Sequence, residues 1–337
     1  MPSHCDPVRL RALIDAFASR RLLVAGDLML DEFIWGKVSR ISPEAPVPVV
    51  RVTGESYYPG GAANVARNVR EFTRYTTVVG RTGLDRNGRR LGDLLRDCGI
   101  DTSGVELDSG TTTTVKTRII ARNQQVVRVD RERIAPSTAE EAERAGERLE
   151  RAIPLADAVI VADYGKGFLT QPLADRLCAM AREHGKIVAV DPHPHTLLAW
   201  QGVTAVKPNR AEAFLAAGLP PAEPVLPVLE DRALLEAGRR LMERWQCPSL
   251  LVTLGEHGML LFDAGECPYH IPTRAKDVFD VSGAGDTAIA VFTLALAAGG
   301  AAVEAAELAN LAAGIAVGKL GTATVNPAEL EAALAQL

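Results

Sequence analysis

Short apolar runs rich in β-branched residues alternate along the chain with longer amphipathic segments. The apolar runs predict strands at 21–27, 76–80, 158–163, 186–191, 204–209 and 249–255, and many of them end in Asp, Asn or Gly. The intervening segments predict helices at 62–72, 86–98, 138–152, 172–184, 210–217, 229–245, 286–298 and 303–319. Continuously apolar strands are typical of a sheet that is buried on both faces. The pattern therefore predicts an α/β protein with three layers (α/β/α) and a mostly parallel central sheet.

Two segments break this alternation. Residues 33–52 and 111–129 have the composition of β-ribbons, with no helix behind them. Asn123-Gln124 suits the tip of a hairpin. We interpret the ribbons, at about 33–55 and 111–130, as a small β lid on the main domain. Edge hairpins without an active role are the alternative.

Composition narrows the class of protein. The 337 residues are 47% apolar and 23% charged, which excludes disorder or coiled coil for the whole chain, and we expect one domain over 1–337. The net charge of −5 argues against a general electrostatic grip on nucleic acid or an anionic membrane. The longest uncharged stretch, 287–303, is shorter than the about 20 apolar residues of a membrane span. It predicts a buried helix, so we expect neither nucleic acid nor membrane as a partner.

The cysteines give an expectation for the compartment. They number five, are widely spaced and form no C-x-x-C, which favours free thiols in a reducing environment. The N-terminal segment has no basic run followed by an apolar stretch, so it does not have the pattern of a secretory signal. We therefore expect a cytoplasmic protein.

The strongest chemical motif is Asp280-Val-Ser-Gly-Ala-Gly-Asp286, which precedes an apolar helix. Small residues at a helix N-terminus let backbone N–H groups and the helix dipole attract an anion. A carboxylate in that first turn could accept the proton of an attacking hydroxyl during phosphoryl transfer. The alternative is a plain capped turn before a core helix.

Polar residues near the N-terminus suggest a second site. Gly60-Gly61-Ala62-Ala63-Asn64 enters a helix, where glycines allow close approach of a ligand and Asn64 offers both donors and acceptors. Asp27 and Asp31 follow the first strand, and carboxylates there suit the vicinal hydroxyls of a sugar. A Gly-rich helix start and ordinary turn residues are the alternative interpretation.

Two further strand ends carry polar motifs. Lys207-Pro-Asn-Arg-Ala-Glu212 has the pattern of a capped helix start, with Glu212 also suited to the water shell of a magnesium ion. Thr253-Leu-Gly-Glu-His-Gly258 could hold a nucleotide or form a hairpin. The sequence has neither a G-x-x-x-x-G-K-[ST] motif nor a G-x-G-x-x-G after the first strand, which argues against a P-loop protein and weakens a dinucleotide oxidoreductase.

In this order, the motifs resemble the ribokinase-like carbohydrate kinases of the PfkB type over nearly the whole chain. The matching features are Gly-Gly near the N-terminus, N-x-x-E at 209–212 and G-A-G-D at 283–286. Segments 26–50, 60–69, 121–130, 163–167 and 309–325 are similar to the kinase half of the bacterial ADP-heptose synthesis enzymes, and 40–48 is the most specific part. The resemblance implies a ribokinase-like fold. It also implies ATP-dependent phosphorylation of the anomeric hydroxyl of D-glycero-D-manno-heptose 7-phosphate, for ADP-heptose and lipopolysaccharide core synthesis.

The resemblance also implies roles for individual residues. Asp286 would be the base, beside an anion hole formed by the backbone of Gly283, Ala284 and Gly285. Glu212 would reach Mg²⁺ through water, and Asp280 matches a position that helps bind a monovalent cation such as K⁺ in many relatives. The residues implied around ATP and its magnesium are Asn209, Glu212, Thr253, Gly255, Glu256, Gly258 and Asn310. Those implied around the sugar and its 7-phosphate are Asp27, Gly60, Gly61, Asn64, Arg118, Arg122, Gln124 and Lys166.

Three departures from the family pattern accompany the match. No H-x-G-H motif of a second, nucleotidyl-transferring domain is present, so a stand-alone kinase is expected. Asp191-Pro-His-Pro-His195 replaces the usual Asp-Pro-Lys type of sequence, and Arg210-Ala211 replaces the commoner Leu-Ser. His193 and His195 have no third ligand near them in sequence, so we interpret them as loop residues and not as a metal site.

Several alternatives stay open at this point. The chain could phosphorylate another sugar of the ribose or fructose type, or it could be a nucleotide-binding regulator that has lost catalysis. The lid strands could also join a second subunit and form a homodimer, because exposed strands are often covered between symmetry mates.

Overall fold

The structure is a computed structural model that describes residues 5–121, 124–196, 198–275, 278–319 and 321–336. Strands and helices are numbered separately in chain order. Among the described residues, nine strands form the main sheet, in the order β13 (Tyr269–Ile271), β12 (Met259–Asp263), β11 (Ser249–Thr253), β10 (Ala205–Val206), β9 (Ile187–Asp191), β8 (Ala158–Ala162), β1 (Arg21–Gly26), β4 (Tyr75–Gly83) and β5 (Asp101–Asp108).

The main sheet is parallel from β10–β11 across to β5, and only β12 and β13 run antiparallel to their neighbours. All six predicted strands belong to it. Because parallel strands end at one edge, the polar residues that follow β1, β8, β9, β10 and β11 meet along that edge.

Ten helices occur in the described parts of the chain. They are α1 (Pro7–Phe17), α2 (Ala62–Phe72), α3 (Arg86–Asp97), α4 (Ala139–Ala152), α5 (Gln171–Glu183), α6 (Arg210–Ala216), α7 (Arg232–Trp245), α8 (Ala284–Ala297), α9 (Ala302–Ala316) and α10 (Pro327–Leu334). The six helices α1–α3 and α8–α10 pack with one face of the sheet, and α4–α7 pack with the other. The predicted three-layer α/β/α architecture is confirmed.

The alternation within β1 shows how the two cores form. Leu22 and Val24 are buried in the core of the first face, whereas Leu23 and Ala25 are buried in the core of the second. Successive strand residues point to opposite faces, so a strand between two helical layers must be apolar throughout.

The predicted lid is a separate mixed sheet of four strands. Its order is β3 (Pro48–Gly61), β2 (Leu28–Ile41), β6 (Thr114–Ala121) and β7 (Gln124–Arg131). Strands β2 and β6 are parallel, and the other pairs are antiparallel. Gln124 pairs with Ala121 across the β6–β7 hairpin. The lid is longer than the sequence indicated, because β2 and β3 extend to positions 28 and 61, where they join the main domain.

Sequence reasoning missed both terminal helices. Helix α1 buries Leu10, Leu13, Ile14 and Phe17 at helical spacing, after the N-cap residue Asp6. Helix α10 follows the N-cap residue Asn326, which forms a capping box with Glu329. Strands β5, β12 and β13 were also missed, because their apolar runs are short or interrupted.

The uncharged stretch at 287–303 was correctly predicted as a buried helix. Helix α8 is buried on nearly every side, from Thr287 to Ala295. It ends in a C-cap where the Gly300 N–H donates to the Ala295 carbonyl. In the described part of the chain, no helix is both long and apolar enough to cross a bilayer.

Candidate functional site

A cleft of about 820 Å³ lies at the carboxyl edge of the main sheet. It gathers residues from β8 to α9 that are widely separated in sequence. Its lining includes all seven residues predicted around the nucleotide, and also Ala284, Gly285 and Asp286 from the head of α8. The volume is in the range of pockets that hold nucleotides and similar small molecules.

The head of α8 is built to receive an anion. Gly283 is the N-cap residue with φ 83°, a left-handed conformation that favours glycine. The backbone N–H groups of Gly285 and Asp286 have no acceptor in the described parts of the chain. A Cβ on Gly285 would lie 3.5 Å from Lys207 Nζ, so an ammonium group stands beside these free donors. Helix dipole, N–H groups and lysine together favour negative charge at this point.

The Asp286 carboxylate is held from two sides. Tyr164 Oη donates a hydrogen bond to Asp286 Oδ1 at 2.6 Å, and Asn64 Nδ2 donates to Oδ2 at 2.6 Å. Burial raises the pKa of Asp286 to about 6, against the effect of these two hydrogen bonds. A half-buried carboxylate with a pKa near neutrality is suited to accept a proton from a hydroxyl group.

A further layer of hydrogen bonds fixes Asn64. Asn68 Nδ2 donates to the Asn64 carbonyl, and Thr287 Oγ1 donates to Asn68 Oδ1 at 2.7 Å. These bonds tie α2 to α8 behind Asp286. Asn64 Oδ1 is buried and has no hydrogen-bond partner among the described residues. An unpaired buried acceptor beside the carboxylate is available to a hydroxyl group of a ligand.

Sequence reasoning missed Lys207 and Tyr164. Lys207 is 3% exposed, and its Nζ lies 3.0 Å from Asp191 Oδ1. Burial raises the pKa of Asp191, and the lysine opposes this. Both residues stand at predicted strand ends, and Tyr164 lies within the segment 163–167 that carried the resemblance. Their position in the sequence was therefore a usable signal.

The nucleotide side of the cleft combines a helix cap with a hairpin. Asn209 and Glu212 form the capping box of α6, as the pattern of a capped helix start predicts. Both residues also line the cleft. Thr253 pairs with Asn209 in an isolated parallel bridge. The segment from Gly255 to Gly258 connects β11 to β12 in a hairpin, with Glu256 exposed to solvent.

Asn310 anchors the far wall of the cleft. It is 3% exposed, and its Nδ2 donates to the Pro272 carbonyl at 2.8 Å. The loop after β13 is thereby held against α9, where Thr273 and Ala275 also line the cleft. Asn310 thus supports the shape of the cleft through this loop.

Carboxylates in the cleft fit a hard divalent cation bound mainly through phosphate and water. The pKa of Glu212 is raised by burial and also by the charge of Asp191. Like charges facing one cleft are relieved by a cation. No group of three or more His, Cys, Asp or Glu residues within the described ranges could form a dedicated protein cage. Mg²⁺ commonly binds with few protein ligands beside nucleotide phosphates.

The predicted sugar side lies where the lid meets the main domain. Asp31 is 5% exposed, and its Oδ1 is 2.5 Å from Arg118 Nη1. Burial raises the pKa of Asp31, and Arg118 lowers it. A Cβ on Gly60 would lie 2.7 Å from Asp31 Oδ2, so only glycine leaves this carboxylate in place. Gly61 follows and leads directly into α2, which carries Asn64.

The structure places Asp27 differently from the expectation that it binds sugar. Its Oδ2 accepts the N–H groups of Tyr164 and Lys166, and its Oδ1 accepts the N–H of Phe168. The residue is 3% exposed. Its acceptors are therefore used by the chain itself, and Asp31 is the carboxylate that lies at Gly60.

Lys166 faces the lid and not the Asp286 carboxylate. Its Nζ lies 2.8 Å from Glu132 Oε2, just after β7. Gln124 is exposed at the tip of the lid, beside Ala121, whereas Asp31 is near the base of β2. Five residues of strand separate these levels, or about 17 Å. Arg122, the remaining predicted lid residue, lies outside the described residues.

The histidine pair and Asp280 occupy loops beside the cleft. His193 and His195 have ring centroids 5.6 Å apart, and burial lowers the pKa of His193. Asp280 Oδ1 accepts the Ser282 N–H, and Oδ2 accepts the Gly321 N–H. Asp280 thereby joins the segment before α8 to the segment after α9.

Sequence comparison finds a family match over most of the chain. The model of the pfkB family carbohydrate kinases matches residues 20–329. The bifunctional protein HldE of Desulfatibacillum aliphaticivorans is 44% identical over 322 residues, covering 95% of this chain and 64% of that protein. HldE of Chromohalobacter salexigens is 45% identical over 316 residues, covering 93% and 63%. The chain thus spans less than two thirds of the length of these relatives.

Solved structures share the fold at lower identity. The ribokinase of Arabidopsis thaliana, complexed with ribose and ATP, has a TM-score of 0.70 and 19% identity, covering 94% of this chain and 98% of that one. Phosphofructokinase-2 of Escherichia coli, in complex with potassium, has a TM-score of 0.74 and 20% identity at the same coverage. These similarities confirm the expected ribokinase-like fold.

Proposed function

The chain belongs to the pfkB family of carbohydrate kinases, and from this premise we propose that it phosphorylates the anomeric hydroxyl of D-glycero-D-manno-heptose 7-phosphate. ATP is the donor, and the products are heptose 1,7-bisphosphate and ADP. The family makes the chain an ATP-dependent carbohydrate kinase. The sugar and the position of its hydroxyl are the proposal, supported by the segments that resemble ADP-heptose synthesis enzymes and by the cations of the lid.

The observation that carries the proposal is the position of Asp286. It lines the nucleotide cleft, while Asn64 connects it to the Gly60–Gly61 side, where Asp31 and Arg118 lie. A base at this junction faces both the phosphate donor and the hydroxyl that receives the phosphoryl group. The unpaired Asn64 Oδ1 offers an acceptor to a second hydroxyl of the same sugar.

The residues of the chain provide the parts that phosphoryl transfer requires. Asp286 accepts the proton from the sugar hydroxyl as that oxygen forms its bond to the γ-phosphorus of ATP. The bond between the γ-phosphorus and the bridging oxygen breaks, and ADP leaves. The N–H groups at the head of α8, together with Lys207, stabilise the negative charge on the transferred group. The wall from Asn209 to Gly258 positions the nucleotide.

Two cations would assist these groups. Glu212 would hold Mg²⁺ through water, and Mg²⁺ when bound neutralises charge on the phosphate oxygens of ATP. Asp280, which joins two loops beside the head of α8, is proposed for a monovalent cation such as K⁺. Replacing K⁺ by Na⁺ in the activity assay tests this second cation.

The lid supports a sugar that already carries a phosphate. Asp31, Lys116 and Asp130 are register partners across β2, β6 and β7, and so are Phe33, Arg118 and Arg128. These residues share the face that carries Asp31. Cations on this face, together with Lys166, can compensate the charge of a second phosphate. In the structure these cations are paired with Asp31, Asp130 and Glu132, and a second phosphate would compete with those carboxylates for them.

ADP release with Mg-ATP across a sugar panel tests the proposal. The panel contains heptose 7-phosphate, ribose, fructose, fructose 6-phosphate and no sugar. We expect strong activity on heptose 7-phosphate alone. Activity confined to another sugar would retain the kinase mechanism and refute the proposed substrate. ATP binding without ADP release on any of these sugars would favour a silent nucleotide-binding regulator.

Lys166→Met is expected to raise the KM for heptose 7-phosphate by about 10–100-fold, because a charge-assisted hydrogen bond to phosphate is lost. Glu132→Gln should lower this KM, because Glu132 competes with the phosphate for Lys166. Initial-rate kinetics at saturating ATP measure both changes. Lys186→Met, at the opposite edge of the sheet, is the control. Equal KM values in the Lys166 and Lys186 variants would remove Lys166 from phosphate binding.

We also propose that the lid joins two copies of the chain. Ile34, Ile119 and Val127 are register partners on the face opposite Asp31, and Val129 lies on the same face. Val127 and Val129 are 45% and 42% exposed. An apolar sheet face with an open edge strand is a typical interface between symmetry mates.

The double variant Val127→Lys with Val129→Lys is expected to be a monomer, because the two lysines place two positive charges in the apolar face of the lid. Light scattering after size-exclusion chromatography measures the mass. Val8→Lys, which changes an exposed valine on α1, should leave the mass unchanged. A wild-type monomer, or a double variant with dimer mass, would refute the lid interface.

A further inference from the structure

We propose that Asp27 is a positioning residue for phosphoryl transfer, acting through the loop 163–168 and the Tyr164 hydroxyl on Asp286. The inference rests on the proposed function, because the reaction that it serves is sugar phosphorylation. It assigns to Asp27 a role in aiming the catalytic carboxylate in place of a contact with sugar.

Asp27 occupies the joint between the main sheet and the lid. It follows β1 directly and precedes β2. Its backbone N–H donates to the Ala162 carbonyl at 3.2 Å, and its own carbonyl accepts the Ala62 N–H at 3.0 Å. The backbone is thus fixed between the end of β8 and the start of α2. This places the side chain beneath the loop that follows β8.

The carboxylate holds that loop at three alternate residues. The N–H groups of Tyr164, Lys166 and Phe168 donate to it at 2.9, 3.1 and 3.0 Å. Three converging donors match a carboxylate, which has about four acceptor positions on two oxygens. An amide would present an NH₂ group to at least one of these N–H donors. Asp27→Asn therefore disturbs the loop with almost no change in side-chain volume.

The loop carries two side chains that belong to the candidate site. Tyr164 Oη donates to Asp286 Oδ1 at 2.6 Å, and Lys166 Nζ contacts Glu132 of the lid at 2.8 Å. Asp163 braces the other side of the loop, where it accepts the Gly165 N–H and the Thr196 hydroxyl. The loop thus connects Asp27, which binds its backbone, to Asp286, which accepts the hydrogen bond of Tyr164. A change at Asp27 reaches Asp286 through Tyr164.

The acid limb of the kcat–pH profile is the informative measurement. The groups that face Asp286 are Tyr164, Lys207 and Asp191, together with the neutral side chain of Asn64. Loss of the tyrosine hydrogen bond raises the pKa of Asp286, because that bond favours the ionised form. Tyr164→Phe should therefore move the acid limb up by about half a pH unit and lower kcat about fivefold.

Asp27→Asn should move the acid limb in the same direction and lower kcat by about fivefold, as Tyr164→Phe does, with the Kd for ATP within about threefold of wild type. The double variant, Asp27→Asn with Tyr164→Phe, should have about the same kcat as Asp27→Asn alone. Both substitutions interrupt the same path from Asp27 through Tyr164 to Asp286. Asp85→Asn is the matched control. Asp85 accepts the N–H groups of Gly88 and Thr113 but does not contact the loop 163–168, so its replacement should lower the Tm without moving the acid limb.

The outcomes separate this inference from the proposed function. No activity of the wild-type protein on heptose 7-phosphate refutes the function itself. An active wild type with an unchanged acid limb in Tyr164→Phe overturns the link from loop to base, even where Asp27→Asn fails to fold. Multiplicative losses in the double variant also overturn it, because they would give Asp27 a purely structural role.

Discussion

Asp286→Asn is expected to lower kcat on heptose 7-phosphate by about 10²–10⁴-fold, the usual contribution of a general base. The substitution keeps the volume of the side chain and its place at the head of α8. The N–H groups of the anion hole are unchanged, so ATP should bind with nearly wild-type affinity. Single-turnover ADP formation and calorimetric ATP binding measure the two properties separately. Near-normal turnover would exclude Asp286 as the base.

The pH dependence of the wild-type enzyme gives a second measurement of the same carboxylate. The pKa of Asp286 is raised to about 6 by burial, so its basic form is lost on acidification. We expect kcat to fall as the pH decreases through about 6 and to level off above that range. In Asp286→Asn the residual rate should show no such limb. A limb of equal position in the variant would assign it to another group.

The same substitution should stabilise the fold at alkaline pH. A carboxyl group whose folded pKa lies above its unfolded value of 3.8 binds its proton more tightly in the native state. The ionised form therefore destabilises the protein, and this penalty grows as the pH rises from 3.8 through about 6. We expect Asp286→Asn to raise the Tm by about 2–4 °C at pH 8, with a smaller gain at pH 5. A lower kcat together with a higher Tm would be explained by a catalytic carboxylate that weakens the fold.

Lys207→Met is expected to lower kcat by about 10²–10³-fold, comparable to the loss of one donor from an anion hole. Its Nζ stands beside the head of α8, and the methyl group of methionine cannot stabilise charge there. The variant should also be less stable by about 3–5 kcal/mol, because Asp191 loses its partner in a buried pair. Steady-state kinetics and urea denaturation measure these effects.

Pairing the change with Asp191→Asn separates the two losses. Lys207→Met with Asp191→Asn removes the buried charge that Lys207→Met leaves behind, so most of the stability should return. Turnover should stay low, because the ammonium group is still missing. Recovery of turnover together with stability would show that Lys207 acts only on the fold.

Much of the fold follows from local patterns. Six of the nine strands of the main sheet and eight helices were predicted within a few residues, because a sheet buried on both faces requires strands that are apolar throughout. The terminal helices α1 and α10 had usable cap and periodicity signals that were overlooked. The length of the lid was harder, because β2 and β3 change from exposed to buried residues as they join the main domain.

The candidate site divides in a similar way. The residues predicted around the nucleotide line one cleft with the head of α8. Sequence patterns could identify them because their motifs are local, and a helix N-terminus positions its own donors. Lys207 and Tyr164 were missed although both stand at predicted strand ends, because their contacts with Asp191 and Asp286 are made only in the tertiary structure.

The sequence by itself determined the family and the three layers, and it predicted which residue would be the base, because hydrophobic period, glycine placement and short motifs are properties of contiguous residues. Only the tertiary structure decided what each carboxylate near the N-terminus contacts. Asp27 and Asp31 are four positions apart and look alike in the sequence. In the fold, the backbone N–H groups of another loop surround Asp27, while Asp31 meets Gly60 and Arg118. Long-range hydrogen bonding, which no local pattern encodes, makes that choice.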